Sequence, residues 1–224
     1  MLDNPIKFLN LTEQEVRGIY NGTCTQLVRR SKTPDARSRR QIQAELEIFG
    51  PVSTIIGGRE AWRCISVYPD NAQVSIEYRA GGRNFWDNVP DYGKFAKQAA
   101  YVGDGQPWHP AHHQPKFSIR VALEVIAIHV HRLMDLREED ARYIGLEPTD
   151  AQYHNYTHPG HSNPTFWRYP WRDYELKSFS GEPSARDSFF SWYRYNHGKT
   201  NFLANDWLVR AEVALIETPK FLLT

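Results

Sequence analysis

The 224-residue sequence predicts a single α+β domain, residues 1–224, built round a small mixed β-barrel with flanking helices. Three observations carry that expectation. Strand-like segments are separated by isolated helical ones, without the regular alternation that a doubly wound sheet requires. Helix-start and helix-stop residues bracket two amphipathic stretches, one near each end of the chain. Two polar stretches, at about residues 80–115 and 147–183, interrupt the periodic segments and are expected as long loop excursions.

Taken in order, Ile6, Lys7, Phe8 and Leu9 make a short first strand. Thr12 and Glu15 form a capping box, in which the hydroxyl accepts from an early amide and the carboxylate reaches back. The helix they start is expected to run to about Asn21, with Val16, Ile19 and Tyr20 on one face and Gly22 at its permissive end. Residues 24–28 read as a second strand, and residues 29–41 as a basic loop carrying Arg29, Arg30, Lys32, Arg37, Arg39 and Arg40. Gly57 and Gly58 follow an apolar Thr54-Ile55-Ile56 segment and mark either a bulge or a close approach by a ligand.

Residues 62–68 and 73–79 form a strand pair turning at 69–72. The clearest strand spans 117–130, where Phe117, Ile119, Val121 and Leu123 alternate with Ser118, Arg120, Ala122 and Glu124. That alternation predicts a polar row on one face of the strand. A short helix over 136–142 ends near Gly145. A longer one starts at Ser184, carries Phe189, Trp192 and Tyr193 on one face and stops at Gly198. Residues 207–216 supply the last strand.

Composition narrows the functional classes. Hydrophobic content of 41% and charged content of 24% are those of a globular domain, and no stretch approaches the roughly 18 consecutive apolar residues of a membrane span. The 27 basic and 26 acidic residues leave a net charge of +1, so attraction to nucleic acid must come from a local cleft. Cys24 and Cys64 are too few for a disulfide framework and fit a reducing, cytoplasmic setting. No cofactor is expected. The histidines fall into two groups, His109, His112 and His113, then His154, His158 and His161. The second has ligand-like spacing but no cysteine close in sequence, so no metal is expected.

Four separated regions resemble one family in order. They are Pro5-Ile6-Lys7-Phe8 with residues 21–30; Arg59-Glu60-Ala61-Trp62 with Ile76-Glu77-Tyr78-Arg79; Trp108-His109-Pro110 with residues 115–120, Leu123-Glu124-Val125 and residues 135–141; and residues 188–192, Asn196-His197-Gly198-Lys199 and Ala204-Asn205-Asp206-Trp207. Over roughly residues 5–217 the chain is similar to the bacteriophage and prophage "morphogenetic" branch of the ASCH proteins, whose core is a PUA-like β-barrel. The resemblance implies a barrel cleft that holds RNA, a nucleotide or a modified nucleobase in the bacterial host cytoplasm.

It also frames the site residues. In ASCH hydrolases that deacylate modified cytidine, the family pattern places a Lys, a Thr and a Glu at positions that fall here on Cys24, Leu27 and Glu124. Only Glu124 keeps its type, so the expectation leans away from an enzyme. An altered amidohydrolase or ribonuclease would have to use Glu124 with Cys24 or Thr25. For binding, the expected contacts are Arg29, Arg30, Arg59, Trp62, Trp108, Ser118, Arg120 and Glu124. Arginine supplies a planar fork for phosphate or a base edge, and tryptophan a stacking face. A further alternative is a phage-assembly or anti-host-defence protein that contacts a phage or host protein through the two excursions.

Overall fold

The computed structural model describes residues 5–31, 48–98, 107–146, 171–175 and 181–217. Ten strands and five α-helices are arranged among them as a mixed α+β fold with three sheets. The largest sheet has the order β1-β3-β7-β10-β2, from β1 (Ile6–Asn10), β2 (Gln26–Arg30), β3 (Ile55–Arg59), β7 (Val121–Arg132) and β10 (Trp207–Ile216). Only the β1–β3 pairing is parallel; the others are antiparallel.

The sheet is not a closed barrel. Its two edge strands, β1 and β2, share no ladder among the described residues. The Arg29 guanidinium of β2 instead donates to the Asn10 carbonyl at the end of β1, at 2.9 Å. A side chain therefore spans the gap where a barrel would have backbone bonds, and the expected closure is corrected to an open sheet.

Helix α1 (Glu13–Tyr20) lies against one face of this sheet. Its capping box forms as the sequence requires: Glu15 N donates to the Thr12 hydroxyl at 3.2 Å, and Thr12 N to the Glu15 carboxylate at 2.8 Å. Val16 and Ile19 then pack on Leu27, Ile56, Val121, Leu123, Val125 and Val209. Along β7 the inward face changes parity. Val125 pairs with Val213 and Ala127 with Glu212, so Ile126 is an extra residue that bulges outward, and Ile128 and Val130 resume the core contact. A period-two reading cannot anticipate that shift.

Gly57 and Gly58 continue β3 without a bulge. A Cβ on Gly57 would lie 2.8 Å from the Phe8 ring and one on Gly58 2.5 Å from Leu11, so these glycines make room for the core and not for a ligand.

The described residues of the stretch expected as the first excursion carry regular structure. β4 (Trp62–Tyr68) and β5 (Gln73–Tyr78) pair as anticipated, and β6 (Arg83–Trp86) adds a third strand. Helix α2 (Tyr92–Gln98) contributes Phe95 to a second core with Trp62, Cys64, Val74, Ile76 and Tyr78. Of the second excursion, the described residues include the small pair β8 (Trp171–Arg172) and β9 (Gly181–Glu182).

Helix α3 (Glu138–Ala141) precedes Gly145, and α4 (Ala185–His197) is capped by Ser184, whose hydroxyl accepts from Asp187 N at 3.0 Å. The short α5 (Lys199–Leu203) follows directly. Phe189 and Tyr193 of α4 cover Val28 of β2 and Leu208 of β10, forming the third core. Among the described residues no helix is long and apolar enough to cross a membrane.

Candidate functional site

Where β2, the start of α1 and the end of α4 meet, a cleft of about 190 Å³ opens. Its apolar wall is Val28, Leu208, Phe189 and Trp192. Its polar rim is Asn10, Thr12, Arg29 and Arg30, and Tyr193 and His197 complete the lining. A narrower pocket beside Gln14, Glu15 and residues 144–146 shares Thr12, Val28, Phe189 and Trp192 with it.

Each rim group is held by the fold. Arg29 forms an ion pair with Glu15 at 2.5 Å, so the carboxylate that caps α1 is also the arginine's counter-charge. Arg30 pairs through Nε with the buried Asp206 at 2.6 Å, and its Nη2 donates to Asn201 at 2.9 Å. Asp206 also accepts a hydrogen bond from the Tyr193 hydroxyl at 2.6 Å. Burial, together with that bond, pushes the Tyr193 phenol far above its ordinary value.

His197 ends α4 with its ring 4.6 Å from Tyr193 and edge-on to Trp192 at 5.8 Å. Burial, and then the Arg30 charge, holds its imidazole below the usual histidine value, so it is neutral at neutral pH. Trp192 is backed by Phe189 at 5.5 Å and 24°.

Of the residues expected from sequence, the cleft gathers Arg29 and Arg30 alone. Ser118 is not on β7 at all. It ends a short 3-10 turn over Lys116–Ser118, is fully buried, and donates to the Pro115 carbonyl at 2.9 Å. The polar row is corrected on that ground. Arg120 makes a bidentate pair with Glu60 at 2.7 and 2.9 Å and lies 4.2 Å from the Tyr78 ring centroid. Glu60 is 1% exposed, and burial pushes its carboxyl up in spite of Arg120. Tyr78 in turn donates to the Ser118 carbonyl at 2.8 Å and accepts from Trp86 at 3.0 Å. This network is closed by the protein's own groups.

Trp62 is buried, stacked on His109 at 4.6 Å and near Phe95 at 6.0 Å, so it offers no face to a base. Trp108 lies under the Arg63 guanidinium at 4.7 Å. Arg59 sits 4.8 Å over Phe8, outside the cleft.

The three residues of an altered hydrolase do not converge. Cys24 packs in the core with Leu123 and Val125, whereas Glu124 points to the opposite sheet face with Ala122 and Ile55. Burial, then the Glu15 charge, pushes the Cys24 thiol up to about 12, which leaves it protonated and a poor nucleophile. Thr25 is exposed beside it. Leu27, where the resemblance would place a Thr, is fully buried.

Among the described residues no three of His, Cys, Asp and Glu come together as a metal site. His109 is spent on Trp62, and His129 meets Glu212 at 2.9 Å on the exposed sheet face. His154, His158 and His161 lie outside the described residues, as do residues 32–40 of the basic stretch.

Sequence reasoning missed Trp192, Tyr193, His197 and Asp206 as site residues. The face holding Phe189, Trp192 and Tyr193 was legible, but the same spacing serves a core, and two of the three do pack there. Compared with known proteins, the chain matches no family model, no curated relative and no solved structure.

Proposed function

We propose that the protein binds RNA or a nucleotide by holding one base in the cleft between β2 and α4, as an ASCH-like, PUA-like binding domain of phage origin. The observation that carries this reading is the pairing, in one cleft, of the half-buried Trp192 ring with two arginines on adjacent positions of β2. A base stacks on Trp192, and the polar rim meets its edge and its backbone. Catalysis of the ASCH-hydrolase kind has no support, because Glu124 and Cys24 lie on opposite sides of the sheet.

The test is a fluorescence or calorimetric titration with single nucleosides and with short single-stranded RNA. RNA is expected to bind at low salt and to weaken as salt rises. Trp192→Ala should lower the affinity by about tenfold with the fold retained. Absence of binding by any nucleoside or RNA at low salt overturns the proposal.

A further inference from the structure

We propose that the polar end of the cleft is a phosphodiester subsite, in which Arg30 and His197 contact the same backbone phosphate. The inference rests on the base-binding reading above and adds the group that the rim recognises.

Three observations lead to it. First, Arg30 is fixed but not exhausted. Its Nε faces Asp206 and its Nη2 faces Asn201, while Nη1 takes no partner among the described residues. A guanidinium only donates, so an acceptor is what Nη1 lacks. Second, the His197 ring lines the cleft and makes no hydrogen bond among the described residues. Its main-chain carbonyl is anchored by the Asn201 amide and its ring is wedged against Tyr193 and Trp192, so the side chain is positioned without being consumed. The Tyr193 hydroxyl cannot serve in its place, being committed to Asp206.

Third, the charges balance. Arg29 is matched by Glu15 and Arg30 by Asp206, and the elements carrying Asn10 and Thr12 bring no further titratable group to the rim. With His197 neutral the cleft has no net charge. One proton taken up by His197 gives it a single positive charge, which matches the single negative charge of a phosphodiester. The groups facing His197 are Arg30, which opposes its protonation, and Asp206, which favours it; an arriving phosphate tips that balance. Free His197 is held neutral, so the proton is acquired on binding and affinity increases as pH falls.

The experiment compares uridine with the dinucleotide uridylyl-uridine, whose phosphodiester keeps one charge throughout, at pH 8, 7 and 6. The expected result is a dinucleotide preference that grows by about fivefold from pH 8 to 6, with proton uptake measured by calorimetry in two buffers. His197→Gln, with its melting temperature checked, should abolish both the pH dependence and the uptake while uridine still binds. Equal, pH-independent binding of the two probes overturns the subsite and leaves the base reading standing. Failure of both probes to bind overturns the two together. A pH dependence unchanged in His197→Gln assigns the proton to another group and overturns the proposal.

Discussion

Two arginine–carboxylate pairs set beside aromatic rings occupy different parts of this molecule. Arg120 grips Glu60 with both ends of its fork and lies against Tyr78 and Tyr20. Arg30 grips Asp206 and lies near Tyr193 and His197. Their compositions are nearly the same. What separates them is the space beyond: around Arg120 the neighbouring Tyr78, Ser118 and Gln114 groups bond to one another, whereas Arg30 borders a cleft of about 190 Å³. A charged, aromatic cluster becomes a site only where some of its hydrogen-bonding capacity faces a volume that the chain does not fill.

The comparison breaks most visibly in stability. Arg120→Ala leaves the Glu60 carboxylate, 1% exposed, without its partner, and should cost about 3–5 kcal/mol in urea unfolding. A small loss there, with a loss of RNA affinity in the folded variant, would move the site from α4 to the Glu60 region.

Next in size is a third pair, buried beneath β10. Arg210 donates to Gln26 at 3.0 Å and to Asp140, which Arg137 also grips at 2.9 Å. Burial pushes the Asp140 carboxyl up, but hydrogen bonds and charge from Arg137 and Arg210 outweigh it and hold it below its ordinary 3.8. Its contribution to stability is therefore present above that value and lost as the pH falls through the lower folded value. Asp140→Asn should cost about 2 kcal/mol at pH 7, and the gap to the parent protein should close on acidification. Thermal melts followed by circular dichroism at pH 7 and below pH 3.8 measure it.

In the cleft the expected effects are on binding. Trp192 is half-buried and backed by Phe189, so Trp192→Ala should lower RNA affinity by about tenfold in the same titrations, with a smaller change in melting temperature than Arg120→Ala. An unchanged affinity would put the base elsewhere on the surface.

Local signals in the sequence carried most of the elements. The Thr12–Glu15 box, the Ser184 cap and the turn between β4 and β5 are written in adjacent residues, and each appears where expected. What the sequence hid depends on contacts between elements. β6 and α2 lie in a stretch whose polar composition reads as loop: β6 is held by its ladder to β5, and α2 reaches the β4–β5 core through Phe95. The Ile126 bulge reverses which residues of β7 face inward, and Ser118 leaves the strand through a turn after Pro115. Site residues failed for the same reason. Arg29 and Arg30 sit on a strand whose neighbours are readable, but their partners on α4 and α5 come from far along the chain, as the Arg30–Asn201 separation of 171 shows.

The smallest expected effect is the sharpest on the family expectation. Glu124 is the one residue expected from the resemblance to keep the ASCH-hydrolase type, yet it lies on the sheet face shared with Ile55 and Ala122, away from the cleft, with no ion pair among the described residues. A partly exposed carboxylate without a partner contributes little, so Glu124→Ala should shift unfolding by less than about 0.5 kcal/mol. Nucleoside and RNA affinities should stay within error of the parent protein. If the variant instead loses binding, or abolishes a turnover of acylated cytidine seen in the parent, the ligand sits on the opposite side of the sheet. Arg30 and Arg120 would then exchange roles: the pair beside α4 would be the brace, and the β7 face the surface that meets the ligand.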